Sequence, residues 1–388
     1  MNRKQIVILS AAILVGGVCF AQSAPAVEDF KPASTNQPGK EFPQVNSEGR
    51  VRASISAPEA HKVQLDISAV KYDLVKDTNG VWTGDSGPQD EGFHYYQLWV
   101  DGAAVPDPGS LYFYGASRWG SGIEIPAKDQ DFYALKNVPH GQIREQIYFS
   151  KSNNSLRRCF VYTPPGYDQD LSKRYPVLYL QHGGGEDETG WPNQGKTNLI
   201  MDNLISEGKA KPFIIVMDNG AWSWPANAPR PKPGERPSGP WPPAGWADGF
   251  KKTLLEDIIP MIDSNFRTVA DQQHRAMAGL SMGGMQTRTI TLANTDVFSY
   301  IGIFSGGSFS VEEVNNAPGF KENVKLVFVS YGSRELENAA RFGGDPKVNT
   351  EALKAAGINT HFYISPLTAH EWQSWRRSLN EFAPLLFQ

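Results

Sequence analysis

Ser281 lies in the run HRAMAGLSMGGMQ, residues 274–286, where Gly279-Leu280-Ser281-Met282-Gly283 fits the pattern Gly-x-Ser-x-Gly. A serine hydroxyl is a poor nucleophile until a neighbouring base accepts its proton, so the pattern carries chemistry only if a histidine and a carboxylate stand behind it. Two histidines follow Ser281 in the chain, His361 and His370. His361 falls within the alternating run THFYIS, where a strand histidine packs or faces solvent. His370, in SPLTAHEWQSWRR, follows that run in a loop just before a helical pattern, and is the expected base. The acid is expected between the apolar run KLVFVSYG and the histidine. Glu335, in GSRELE, is the first carboxylate there; Glu337 and Asp345 are rivals in the same loop, and Glu371 adjoins the base in sequence but points elsewhere.

Acyl transfer through such a serine also needs N–H donors for the oxyanion, one from the residue after the nucleophile and one from a loop after an early strand. The stretch LYLQHGGGEDETGW supplies that loop, so the backbone N–H groups of Met282 and Gly184 are the expected donors. His182 in the same loop has no second histidine at ligand spacing, which points to a positioning hydrogen bond. Neither a metal nor a cofactor is expected.

These groups meet only if the right elements hold them. HRAMAG reads as the end of a buried strand and GGMQTRTITLA as the start of a helix, the strand, turn and helix that a nucleophile elbow requires. Glycines permit close backbone approach there, and the helix N-terminus favours developing negative charge. Buried apolar runs at YPVLYLQHG, PFIIVMDNG, YIGIFSGG, KLVFVSYG and THFYISP alternate with helical patterns such as TLLEDIIPMIDSNF and VNTEALKAAG. The implied architecture is an α/β domain with a largely parallel sheet covered by helices on both faces.

Before it, RVRASISA, KVQLDIS, GVWTGDS, FHYYQLWVDG and GIEIP are short alternating runs separated by turn residues, the texture of a small β-sandwich. Trp82 and Trp99 are expected in its core, with Trp119 a further aromatic. The expected organisation is a signal peptide over 1–21, a flexible leader over 22–41, the sandwich over 42–130 and the catalytic domain over 131–388. One irregular insert, residues 219–250, carries Trp222, Trp224, Trp241 and Trp246 among prolines, and loops this long are usually functional or disordered.

The N-terminus places Arg3 and Lys4 before an apolar run over 6–20, followed by small residues, which reads as a secretory signal peptide cleaved after Ala21. The destination is then periplasmic or extracellular. A lipid on Cys19 is the alternative, weakened by Val18 just before it. The apolar run is shorter than the roughly 20 residues of a spanning helix, and no later segment matches it, so no membrane span is expected. Without Cys19, Cys159 stands alone, in the alternating run LRRCFVYTPP, and is read as core filler rather than a reactive thiol. Loss of Arg3 and Lys4 from the 37 basic residues leaves a deficit of six against 41 acidic ones, which argues against a nucleic-acid partner. The 388-residue length and the ordinary content of 40% hydrophobic and 20% charged residues suit a soluble chain of two domains.

The sequence resembles carbohydrate esterase family one, the feruloyl and acetyl-xylan esterases, carrying an N-terminal module similar to glycogen-binding-type carbohydrate-binding domains. RRCFVYTPPGY, YPVLYLQHGGGEDETGW, RAMAGLSMGG and AHEWQSWRRSL carry the resemblance in the catalytic domain, and APEAHKVQLDI, GVWTGD and YYQLWVDGAAVPDP carry it in the module. It implies an α/β-hydrolase domain preceded by a small immunoglobulin-like β-sandwich. It also implies that Ser281 is the nucleophile, His370 the base and Glu335 the acid. Many members have Asp at that last position, and a Glu reaches the imidazole if its backbone sits slightly further back.

Within this resemblance the partner is a plant cell-wall polysaccharide, arabinoxylan or its oligosaccharides, and the ester is a feruloyl group on arabinose or an acetyl group on xylose. Trp191, Trp222, Trp224 and Trp246 are the expected contacts for a phenolic ring or a sugar. A siderophore esterase of the enterochelin type is a further alternative, which should display basic residues around the site where this chain has the acidic GEDE. A non-catalytic carbohydrate-binding protein on a degenerate scaffold is the last; a serine, acid and histidine in the required order argue against it.

Overall fold

The computed structural model describes residues 27–221, 242–337 and 345–388. The expectations for the signal peptide and for Trp222, Trp224 and Trp241 lie outside the described residues.

In the N-terminal part, polar and apolar residues alternate, and two antiparallel sheets bury the apolar set between them. One sheet has the order Lys31–Pro32, Gln44–Val45, Arg50–Ser56, Val81–Pro88, Val75–Lys76. The other runs Tyr112–Gly115, Arg118–Ile125, Gly92–Val100, Val63–Ile67, Val70–Asp73, with Ala103–Val105 paired to Gly92–Val100. Val51 and Ala53 from the first meet Val63, Leu65, Leu98 and Ile123 from the second in one dry core.

Trp82 is buried at that core and donates from Nε1 to the Ala57 carbonyl at 2.9 Å. Trp99 corrects the expectation of burial. It stands one residue after Leu98, so its side chain leaves the opposite face of the sheet. There its Nε1 donates to Asp66 at 2.9 Å, and the Lys71 ammonium lies 3.3 Å over the ring. The expected flexible leader is also corrected from residue 27 onward. Lys31–Pro32 pairs with Gln44–Val45, the Asn36 amide donates to the carbonyls of Lys40 and Pro43, and Ala33 and Thr35 are buried.

The C-terminal part is built on eight strands: β1 (Gln142–Ser150), β2 (Ser155–Thr163), β3 (Val177–Gln181), β4 (Ile214–Asp218), β5 (Arg275–Leu280), β6 (Tyr300–Phe304), β7 (Leu326–Gly332) and β8 (Thr360–Ser365). Their order is β1-β2-β4-β3-β5-β6-β7-β8. The β1–β2 and β2–β4 pairs are antiparallel and all the others parallel. Strands β3, β4, β6 and β7 are buried along their whole length, which is why they read as unbroken apolar runs.

Helices α1 (Thr197–Ser206) and α4 (Trp372–Phe382) seal one face through Ile200, Leu204, Leu379 and Phe382. The helical stretch from Asp248 to Asn265 and helix α2 (Met282–Ala293) seal the other through Phe250, Leu254, Ile262 and Ile290. Helix α3 (Pro346–Ala355) packs Leu353 against Val327 and Val329. Cys159 is fully buried in the sheet core, where desolvation pushes its thiol well above the ordinary range, as suits a core residue. No helix among the described residues is long and apolar enough to cross a membrane.

The two parts share a polar seam. Arg376 in α4 reaches Glu124 on strand Arg118–Ile125, and Arg377 and Gln373 reach Asp129. Asp90, at the foot of strand Gly92–Val100, pairs with Arg334. The Tyr95 hydroxyl on the same strand accepts from Gln194 at 2.7 Å and from the Trp372 indole at 3.2 Å.

Candidate active site

Strand β5 ends at Leu280, helix α2 begins at Met282, and Ser281 makes the corner between them at φ 51°, ψ −115°. This is a conformation that side-chain-bearing residues rarely occupy, and it aims the hydroxyl away from the sheet at the helix N-terminus. The Ser281 N–H donates to the Phe304 carbonyl at 2.7 Å, which ties the corner to β6. Neighbouring glycines let the chain fold this tightly. A Cβ on Gly279 would lie 2.4 Å from the Gly283 carbonyl carbon, one on Gly283 2.5 Å from the His182 oxygen, and one on Gly306 2.6 Å from the Gly284 Cα.

The structure brings His370 and Glu335 to this serine. His370 Nε2 is 2.8 Å from Ser281 Oγ, and His370 Nδ1 is 2.7 Å from Glu335 Oε1. The Nδ1–H therefore faces the carboxylate, which leaves the Nε2 lone pair to accept the serine proton. Glu335 is buried, and its other oxygen accepts from the Gly332 N–H at 2.7 Å and the Ser305 hydroxyl at 2.8 Å. Ser305 in turn accepts from the Trp375 indole at 3.1 Å, and Trp375 presents its ring edge-on to His370, 5.1 Å between centroids. The carboxylate is thus held by three donors, counting the imidazole.

The rival carboxylates have other partners or none near the base. Asp345 caps α3 by accepting from the Lys347 N–H, Glu337 is exposed, and Glu371 accepts from the Ala369 N–H. His361 stacks on Phe328 in the sheet, 5.3 Å away and nearly parallel. His182 is buried, and desolvation lowers its pKa, so it is neutral; Nδ1–H donates to the Gly183 carbonyl at 2.8 Å, and Nε2 accepts from the Gly220 N–H at 3.0 Å. Among the described residues no cluster of three or more His, Cys, Asp or Glu side chains is placed to hold a metal.

Gly184 is exposed, and a Cβ there would lie 3.9 Å from the Met282 Cβ, so the two residues expected to supply the oxyanion donors are neighbours in space. A cavity of about 860 Å³ opens over Ser281 and His370, with Trp246, Pro242 and Met285 among its apolar walls and Arg288, Ser308 and Asn349 among its polar ones. Arg288 is ion-paired with Glu313. Trp246 lines this cavity although only 7% of it is exposed.

Trp191 does not, and that expectation is corrected. It is 1% exposed, donates from Nε1 to the Gln181 carbonyl at 2.9 Å, and packs edge-on against Trp372 in the core. It lies at the start of the short helix Gly190–Asn193, with its ring also edge-on to Phe304 and no part of it lining the cavity over Ser281. Sequence reasoning did not find Ser305, Trp375, Arg288 or Asn349. Only Trp375 had a signal, an i+5 offset from His370 on an apolar helix face.

Residues 150–386 match the esterase family model. An endo-1,4-beta-xylanase/feruloyl esterase of Xylanibacter ruminicola is 46% identical over 369 residues, which are 93% of this chain and 48% of that protein; this chain thus spans about half the length of that relative. A ferulic acid esterase of Anaeromyces mucronatus, solved in complex with ferulic acid, superposes with a TM-score of 0.54 at 23% identity, over 67% of this chain and 96% of its own. The enterobactin esterase of Shigella flexneri superposes with a TM-score of 0.61 at 14% identity, over 87% of this chain and 93% of its own. At these identities the two structures share a fold with this chain, and the second match takes in part of the N-terminal sheets. The family match covers more than half of the chain and includes Ser281, Glu335 and His370, and on that ground the chain belongs to the esterase family.

Proposed function

We propose that this protein is a serine esterase that removes feruloyl groups from plant cell-wall arabinoxylan through an acyl-enzyme. The observation that carries the reading is the unbroken hydrogen-bonded line from Glu335 through His370 to Ser281, 2.7 Å and 2.8 Å. In this mechanism Ser281 Oγ attacks the ester carbonyl while His370 Nε2 takes its proton, and Glu335 steadies the imidazolium. The N–H groups of Met282 and Gly184 receive the oxyanion. The tetrahedral intermediate collapses as the ester C–O bond breaks and His370 returns the proton to the departing sugar oxygen, which leaves as a hydroxyl. Water, activated by the same histidine, then attacks the acyl-enzyme and releases ferulate.

The cavity volume and its Trp246, Pro242 and Met285 walls favour an aromatic acyl group over acetyl, because an acetyl group would leave that apolar surface unfilled. The Xylanibacter relative, named for xylanase and feruloyl esterase activities, supports the same substrate class. The N-terminal sheets, on this reading, form an immunoglobulin-like carbohydrate-binding module, and residues 1–21 direct export. Incubation with native arabinoxylan, with ferulate and acetate measured together, tests the assignment. Ferulate as the main product supports it, and acetate in excess makes acetyl-xylan esterase the better reading.

A further inference from the structure

The loop that carries Gly184 is held from both sides, and one side belongs to the N-terminal sheets. On the inner side, His182 Nδ1–H donates to the Gly183 carbonyl at 2.8 Å. The turn closes on itself through the Glu186 N–H and the Gly183 carbonyl, 3.3 Å apart. On the outer side, the Ser117 N–H at the tip of the hairpin Tyr112–Gly115/Arg118–Ile125 donates to the Gly185 carbonyl at 2.7 Å. The tip residues Ala116 and Ser117 both have positive φ, 49° and 62°, the geometry of a tight two-residue hairpin turn.

Beside that contact, Tyr95 meets Glu186. The Tyr95 hydroxyl accepts from Gln194 and from Trp372, so its single proton is left for an acceptor, and Glu186 Oε1 is 3.2 Å away. The other acceptor in reach, the Tyr114 carbonyl, is farther at 3.4 Å. Glu186 Oε2 is buried with no hydrogen-bond partner. The tyrosine hydroxyl thus donates to this carboxyl group, beside the Gly183 backbone and the Trp372 indole.

We propose that Tyr95 is a positioning residue for the esterase reaction: acting through Glu186, together with the Ser117–Gly185 contact, it fixes the Gly183–Glu186 turn so that the Gly184 N–H faces the reacting oxygen. The inference rests on the esterase reading above and adds that the oxyanion site is completed by the N-terminal sheets. Tyr95 touches neither substrate nor nucleophile. Its removal therefore acts on the transition state, where negative charge develops, and leaves ground-state binding in the cavity alone.

The test uses the full chain as wild type, Tyr95→Phe, Glu186→Ala and Glu186→Gln. A fluorophosphonate first labels Ser281 and counts active sites, and kcat and KM on methyl ferulate are expressed per labelled site. The Ki of an aryl boronic acid, which forms a tetrahedral adduct on the serine, is measured alongside. Loss of a whole oxyanion donor costs roughly 10²–10³ in kcat, so loosening one is expected to cost about tenfold. Tyr95→Phe and Glu186→Ala should lose that factor in kcat and in boronate affinity, with KM within about twofold of wild type, and Glu186→Gln should recover most of the turnover lost in Glu186→Ala. Wild-type kcat and boronate affinity in Tyr95→Phe overturn the proposal, as does a loss carried by KM alone. If Tyr95→Phe fails to fold, the contrast between Glu186→Ala and Glu186→Gln decides on the same criteria. Failure of the wild type to be labelled overturns the esterase reading and this inference with it; a labelled, fully active Tyr95→Phe overturns this inference alone.

Discussion

Arg376 in α4 and Glu124 in the N-terminal sheets form a two-pronged ion pair, 2.6 Å and 2.9 Å, with the guanidinium entirely shut off from water. The same guanidinium donates to the Gln194 carbonyl and lies 4.5 Å over the Tyr133 ring. Removing one partner of such a pair strands a charge in a dry site, at a cost of about 3–5 kcal/mol. Glu124→Ala is expected to lower stability by that amount in chemical denaturation, and Glu124→Leu combined with Arg376→Met to lower it less than either change alone. Deletion of residues 27–127 exposes Arg376 and Trp372 together, and the truncated chain is expected to aggregate. A soluble, fully active truncation would show that the seam is dispensable.

Ser281→Ala is expected to lower kcat at least about a thousandfold, since the nucleophile is lost and only binding and the oxyanion donors remain. Ser281→Gly tests the backbone as well. Glycine occupies φ 51°, ψ −115° without steric penalty, so the inactive variant should be more stable than wild type by about 1 kcal/mol. A drop in melting temperature for Ser281→Gly would contradict the strain at this corner.

Glu335→Gln removes the charge that steadies the imidazolium and is expected to slow turnover by roughly 10² or more. Glu337→Gln and Asp345→Asn should stay near wild type, because one side chain is exposed and the other only caps α3, a task asparagine also performs. Comparison of the three kcat values checks the order.

Burial pushes the Glu186 carboxyl up to about 8 from its ordinary 4.5; of the titratable groups around it, the Tyr95 hydroxyl lowers the pKa and the Asp187 charge raises it. Between those two pH values the folded protein keeps a proton that the unfolded chain releases. Stability therefore falls as pH rises from about 4.5 through about 8, and is spared below that window. The melting midpoint of Glu186→Gln, followed from pH 4 to pH 9, should decline less than that of wild type. Parallel declines in the two proteins would place the proton elsewhere.

Trp191→Ala and Trp246→Ala are expected to fail in different ways. The first empties a filled core site and should cost about 3–5 kcal/mol of stability. The second strips an aromatic wall from the cavity and should raise KM for methyl ferulate severalfold, with little change in KM for an acetyl ester. Measuring stability and KM on both variants separates the roles.

The reach of the sequence differs from residue to residue. Strands β3 to β8 were legible because each is an unbroken or alternating apolar run bounded by turns, and the elbow was legible because its glycines and serine have fixed spacing. Glu335 was found by its position after β7, a rule of chain order. Ser305, which donates to it, and Trp375, which donates to Ser305, come from two other segments of the chain, and no local pattern brings them together. Trp99 and Trp191 were misplaced for one reason: a tryptophan's composition signal is the same on either face of a strand or loop, and only the neighbouring alternation or the rings packed against it decide. Tyr95 looked like one more alternating aromatic, since its partners Glu186, Gln194 and Trp372 lie about a hundred residues or more away in the chain.

The glycines around the elbow have an evolutionary consequence. Gly279 abuts Gly283, Gly283 abuts the His182 carbonyl, and Gly306 abuts Gly284, each so closely that any side chain would collide with main chain. Main chain cannot turn aside as a side-chain tip can, so no single replacement at these positions is compensated by a rotamer elsewhere. Ser281, by contrast, turns its side chain toward His370 and the cavity rather than against main chain. Under neutral drift the serine is the first part free to go and the glycine seat the last. A descendant of this lineage that had abandoned ester chemistry would still carry the corner, with a different residue standing on it.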